Sequence, residues 1–301
     1  MPLLSRRALL RTGVAATVAG AAVVTGLETG VIPGRARVHD VLGLTGPDGV
    51  VPDVPAGPVE SGSFESFFRS TTVGYSVIYP HGFSASARIP VVLVLHGRGG
   101  DHTSAVNDLG IDRYLTAAVQ AGTPPFAVAT VDGGRDSYWH RRANGDDDPG
   151  AMLDLEFLPL LANRRLNTSR FGVLGWSMGG YGALLFVALH SFQRVVRPER
   201  KAVAVGALSP ALWRHFEDAA PGAFDGAEDF ELSQVFGRRN GFRDVAVRID
   251  CGRDDPFAKA ASELREELGA AGGLQLGAHT PGYWRRMLPD QLRFLGEKLL
   301  D

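Results

Sequence analysis

The segment Val173-Leu174-Gly175-Trp176-Ser177-Met178-Gly179-Gly180-Tyr181-Gly182-Ala183 constrains this chain more than any other. It holds G-x-S-x-G between an apolar, strand-like run and a small-residue, helical one. In that setting the motif describes a strand that turns so sharply into a helix that the serine between them is pushed outward. Glycine is required at Gly175 and Gly179, because a Cβ at either would strike the crossing backbone. Ser177 is the candidate nucleophile, which points to a hydrolase or an acyltransferase. In a glycine-rich chain the bare pattern is weak, and the residues that follow must carry the argument.

A serine hydroxyl needs a base, and the base needs a carboxylate to orient it. On a parallel α/β scaffold these partners follow in the order serine, acid, histidine. The chain has eight histidines, and only His279 lies beyond both the elbow and a plausible acid turn. That turn is Val245-Ala246-Val247-Arg248-Ile249-Asp250-Cys251-Gly252-Arg253-Asp254-Asp255-Pro256-Phe257, a β-branched strand ending in glycine with carboxylates at its carboxyl edge. Asp255 and Asp254 compete for the acid post. Asp255 is favoured, because G-x-x-D is the usual form of this loop.

Acyl transfer through a serine also needs an oxyanion hole. Val91 to Leu95 is a continuous apolar run, as expected of a central parallel strand, and it ends in His96-Gly97-Arg98-Gly99-Gly100-Asp101. One backbone donor is expected from Met178, just after the nucleophile, and one from Arg98. His96 is read as packing under the elbow.

His96-Gly97, Gly175-x-Ser177-x-Gly179, Cys251-Gly252-x-x-Asp255-Pro256-Phe257 and His279-x-x-x-Tyr283-Trp284 together resemble the Putative esterase family of α/β hydrolases. That family includes the esterase D type and the secreted mycolyltransferase type. The similarity runs from about Ser61 to the C-terminus, and its most specific element is the histidine followed five residues later by tryptophan. The resemblance implies an α/β-hydrolase fold and a serine acyl-enzyme mechanism without metal or organic cofactor. The acid turn carries aspartate where mycolyltransferases usually have glutamate. His96-Gly97 also stands where they carry an acidic residue before the glycine. Both departures lean toward a plain esterase.

The N-terminus reads Ser5-Arg6-Arg7-Ala8-Leu9-Leu10-Arg11, followed by an apolar stretch to about Leu27. A paired arginine before a moderately apolar segment is the form of a twin-arginine export signal. Residues 1–37 are therefore expected to direct export to the cell envelope or beyond. If they are retained they would act as an N-terminal membrane anchor. The single cysteine, Cys251, excludes an intramolecular disulfide and reads as a small buried filler. Removing residues 1–37 takes five arginines and one glutamate with it and moves the formal charge from −2 to −6. A mildly acidic remainder argues against nucleic acid as a partner.

Residues 38–60, rich in glycine and proline, read as a linker, and 61–301 as one catalytic domain. Phe64–Phe68 and Val73–Tyr79 are expected to form an opening hairpin. Strands alternating with helices then imply a doubly wound, mostly parallel sheet with helices on both faces. Final helices are expected at Ala260–Leu268 and Pro289–Leu300, and a strand at Leu274–Leu276. Tyr138, Trp139 and His140 follow a strand's carboxyl edge and are candidates to wall a substrate pocket. The acidic run Gly145 to Gly150 is read as a solvated turn, with a calcium site as the alternative. Ala211 to Asp244 is long enough for a small cap whose phenylalanines form its own core, which suits short or medium acyl esters.

The pattern supports an exported serine esterase acting on a small-molecule, lipid or sugar ester. The same machinery could instead pass an acyl group to a sugar or lipid alcohol. A non-catalytic envelope binder on an inherited scaffold would have no chemical need for all three of Ser177, Asp255 and His279.

Overall fold

The computed structural model describes His39 and residues 42–143, 147–193 and 200–300. The chain divides between Gly46 and Pro47. The described residues before that point form a turn at 42–45, and everything below concerns the part from Pro47 onward. The expected export segment lies outside the described residues. Among those described, no helix is long and apolar enough to cross a membrane.

Among the described residues, eight strands form one sheet in the order β1-β2-β4-β3-β5-β6-β7-β8. They are β1 Val59–Ser66, β2 Thr71–Ile78, β3 Pro90–Leu95, β4 Ala127–Val131, β5 Asn167–Trp176, β6 Lys201–Leu208, β7 Ala246–Gly252 and β8 Ala271–Gln275. The first pairings, β1 with β2 and β2 with β4, are antiparallel, and all the others are parallel.

The helices are α1 Ser104–Asn107, α2 Ile111–Gln120, α3 spanning 149–163, α4 Met178–Gln193, α5 Ala227–Leu232, α6 Ala258–Leu268 and α7 Pro281–Leu300. Within α3, Leu153–Phe157 form a π turn. The helices cover both faces of the sheet, which explains the unbroken apolar run in β3. Val91, Leu93 and Leu95 point into the core shared with α3, α4 and α6, while Val92 and Val94 point into the core shared with α2 and α7. A strand buried on both sides cannot alternate in polarity, and each such side chain contributes about 1.5–3 kcal/mol by leaving water.

The doubly wound sheet is as expected, and four boundaries differ. The hairpin begins at Val59 and turns at 67–70, because Val59-Glu60-Ser61-Gly62-Ser63 forms an exposed edge strand with little apolar content. β8 lies at Ala271–Gln275, three residues earlier than read, on a stretch whose Ala-Gly-Gly looks like a turn. The elbow strand β5 spans Asn167–Trp176, beyond the apolar run Phe171–Leu174 that marks it in the sequence. Helix α7 begins at Pro281, with Pro289 inside it. Pro289 is exposed, so the missing N–H falls on the solvent side, where a helix tolerates it best.

Residues 47–58 form no helix and only the approach to β1, yet they are packed. The Gly49 N–H donates to the Gly282 carbonyl at 2.8 Å, and the Tyr114 hydroxyl donates to the Val50 carbonyl at 2.8 Å. This strap crosses the start of α7 before the chain enters the sheet.

Candidate active site

Ser177 sits between β5 and α4 with φ of +54°, a left-handed conformation that costs a non-glycine residue energy and is held by its surroundings. Its N–H donates to the Leu208 carbonyl at 2.9 Å, and its carbonyl accepts from Tyr181 at 3.1 Å and Ala211 at 3.0 Å. The glycines on either side are needed for clearance. A Cβ at Gly175 would lie 2.1 Å from the Gly179 carbonyl oxygen. One at Gly179 would lie 2.0 Å from that of Leu95. Backbone occupies both places, so no side-chain adjustment could relieve the contact.

The three sequence-selected residues meet at the carboxyl edge of the sheet. The Ser177 hydroxyl is 2.8 Å from His279 Nε2, and His279 Nδ1 is 2.8 Å from Asp255 Oδ2. A neutral His279 with its proton on Nδ1 satisfies both contacts, donating to the carboxylate and accepting from the hydroxyl. The Asp255 side chain is fully buried, and its Oδ1 accepts the Phe257 N–H at 2.9 Å. Asp254, the rival, donates its backbone N–H to the Gly277 carbonyl at 2.9 Å, and its neighbour is the carboxylate that meets His279.

Met178 opens α4, where a first-turn N–H has no partner inside its own helix and the helix dipole is positive. Arg98 lines the same cleft as Ser177. The neighbouring amides are engaged: Gly99 donates to the Arg135 carbonyl at 2.7 Å and Gly100 to that of Gly97 at 3.1 Å. The Arg98 guanidinium turns away to pair with Asp136.

His96 is buried beneath this loop. Its Nδ1–H donates to the Gly97 carbonyl at 2.8 Å, and Nε2 accepts the Gly133 N–H at 3.0 Å, which assigns the neutral tautomer. Burial pushes its pKa below the ordinary imidazole value, against smaller opposing contributions from the Gly97 carbonyl and from Asp132 and Asp101. His96 thus braces the loop from below and does not enter the cleft.

The cleft over Ser177 has a volume of about 780 Å³. Tyr138, Trp176, Trp213, Phe257 and Trp284 supply aromatic surface, and Asp101, Thr103, Asn107 and Asp108 supply polar surface. Of the three residues expected to wall the pocket, Tyr138 does so. Trp139 and His140 do not, because two successive left-handed residues, Tyr138 at φ +50° and Trp139 at +59°, turn the chain inward. Trp139 is 1% exposed, fills the space that a Cβ on Gly133 or Gly182 would need, and donates from Nε1 to the His96 carbonyl at 3.2 Å. His140 borders a separate cavity of about 720 Å³ and hydrogen-bonds the Ala223 carbonyl at 2.8 Å.

Sequence reading did not assign Trp176, Trp213, Phe257 and Trp284 to the cleft wall. Their proximity arises from four distant segments, although Trp176, Phe257 and Trp284 stand inside the quoted motifs.

Of the acidic run, Asp146 lies outside the described residues. Asp147 pairs with Arg69, and Asp148 caps α3 by accepting the Ala151 N–H at 2.8 Å, so both carboxylates have structural partners. Cys251 is fully buried, and burial pushes its thiol pKa up, with Asp255 adding to the rise.

A family model described as "Putative esterase" matches residues 69–295. The chain belongs to that family. Its fold is the α/β-hydrolase fold, shared with solved structures of low sequence identity. One is a ferulic acid esterase, with TM-score 0.68 and 21% identity, covering 80% of this chain and 98% of that one. Another is the fluorophosphonate-binding serine hydrolase F of Staphylococcus aureus, with TM-score 0.61 and 18% identity, covering 80% and 99%. A third is an S-formylglutathione hydrolase from Agrobacterium tumefaciens, with TM-score 0.58 and 19% identity, covering 82% and 98%. No curated protein matches the chain.

Proposed function

We propose that this esterase-family member hydrolyses carboxylic esters through an acyl-enzyme on Ser177. The observation that carries the reading is the unbroken hydrogen-bonded line from Asp255 through His279 to a serine held at positive φ. His279 takes the Ser177 proton as Oγ attacks the ester carbonyl, and Asp255 steadies the resulting imidazolium. Negative charge developing on the carbonyl oxygen is met by the N–H groups of Met178 and Arg98. His279 then gives its proton to the departing alcohol, and water repeats the sequence to release the acid.

The aromatic surface around Ser177 supports an acyl group with a flat ring, in keeping with the ferulic acid esterase among the structural neighbours. The polar surface of the same cleft suits a hydroxylated leaving group. Residues 1–37 fit delivery outside the cytoplasm by the twin-arginine route.

The test is covalent labelling of residues 38–301 by a fluorophosphonate, beside Ser177→Ala. Labelling and ester hydrolysis should both vanish in the variant, with activity down roughly 10³-fold or more. A folded wild type that neither labels nor cleaves a panel of aryl and alkyl esters would overturn the reading.

A further inference from the structure

Two rings from separate segments meet the His279 imidazole at steep angles. Phe257, two residues beyond Asp255, lies 5.4 Å away with the planes at 67°. Trp284, on α7, lies 5.1 Å away at 90°. Phe257 is itself backed at 5.3 Å and 87° by Trp213, from the connection between β6 and β7.

The hydrogen bonds of His279 hold only two atoms of the ring, Nδ1 and Nε2. These contacts fix the two nitrogens, and histidine χ2 has a broad torsional profile of its own, so the pitch of the ring plane depends on what packs against it. Edge-to-face packing holds that pitch, since the preferred geometry is lost when one ring leans.

Trp284 adds a second observation. Its residue is 8% exposed, and its indole N–H is buried with no hydrogen-bond partner among the described residues. A buried indole usually aims this donor at an acceptor. This one forgoes the bond while its ring stands perpendicular to the imidazole.

We infer that Phe257 and Trp284 are positioning residues that hold the His279 imidazole in the plane joining Asp255 to Ser177. The inference rests on the triad reading above. It gives a physical role to the tryptophan five residues after the histidine: one turn into α7, its side chain reaches back along the helix to the preceding turn.

The experiment compares Phe257→Met and Trp284→Met, which keep apolar bulk but remove the ring, with Phe257→Tyr and Trp284→Phe, which keep one. Kinetics on 4-nitrophenyl acetate, whose acyl group is too small to need the cleft walls, are measured beside thermal unfolding. The Nδ1 proton of His279 is followed by NMR. The methionine variants should lose about tenfold in kcat with KM changed less than about threefold. They should also broaden or lose the downfield Nδ1 proton. The aromatic variants should recover most of both. Methionine variants with wild-type kcat and a sharp proton would overturn the inference. So would losses that follow the unfolding midpoint and are no smaller in the aromatic variants. A wild type with no fluorophosphonate labelling would instead remove the triad reading beneath it.

Discussion

The indole Nε1–H of Trp139 donates to the main-chain carbonyl of His96 at 3.2 Å, and the two rings lie 5.0 Å apart. This contact ties the loop after β4 to the loop after β3 directly beneath the cleft. It makes Trp139 part of the platform under the site, while Tyr138, one residue earlier, faces the cleft.

These neighbouring residues should therefore separate in their effects. Trp139→Leu should cost about 3 kcal/mol, within the usual range for truncating a buried aromatic. That is a fall of roughly 6–12 °C in the unfolding midpoint for a domain of this size. KM should stay within about twofold where the variant is folded. Tyr138→Leu should raise KM severalfold with a smaller loss of stability. A Trp139 variant with normal stability and altered KM would return that side chain to the substrate.

The choice of acid predicts a ranking. Asp255→Asn should lower kcat by about 10³–10⁴, because an amide cannot hold the Nδ1–H tautomer and steady the imidazolium. Asp254→Asn should cost less than about tenfold. The two rate constants, measured on one ester, decide it, and the reverse order would overturn the assignment.

His96 predicts a pH dependence of stability. Its native pKa lies below the unfolded value of about 6.5, so its contribution is complete above that pH. As pH falls below 6.5 the unfolded chain binds a proton that the native imidazole refuses. Stability then drops by up to about 1.4 kcal/mol per pH unit until the native pKa is reached. Urea unfolding between pH 7.5 and 5 should show a shallower slope for His96→Gln than for the wild type. Identical slopes would mean that His96 carries none of the acid sensitivity.

Cys251 should be chemically silent in the native state. Its thiol is buried, and burial disfavours the thiolate. Iodoacetamide should leave both activity and mass unchanged until denaturant is added, as intact mass spectrometry would record. Rapid alkylation of the folded protein would contradict the burial described here.

Much of the site was legible because its requirements are local or ordinal. Gly175 and Gly179 announce themselves, since only a missing Cβ lets β5, the elbow and β3 approach so closely. His279 follows from order along the chain, with no other histidine beyond the acid turn. The fold was legible where burial on both faces forces apolar runs, as in β3. It was obscured at β1 and β8, whose serines and glycines are stabilised by pairing that no single segment reveals. The start of α7 was misplaced because Pro289 reads as a first-turn proline, and only its exposure explains why the helix accommodates it. The orientations of Tyr138, Trp139 and His140 depend on two left-handed φ angles in non-glycine residues, which residue type does not signal. The aromatic cleft wall is a property of the assembled tertiary structure.

The strap at residues 47–58 limits how much of the N-terminus the active-site end of the molecule can lose. It reaches α7 at Gly282, three residues past His279, so the beginning of the packed chain and the last member of the triad share one mechanical support. A cut upstream of Pro47 would spare that support. A cut a dozen residues further in would remove it and loosen the turn that presents the imidazole. N-terminal trimming is thus limited in how far inward it can go by the neighbourhood of His279, and a trimming series through this stretch should lose activity before it loses the sheet.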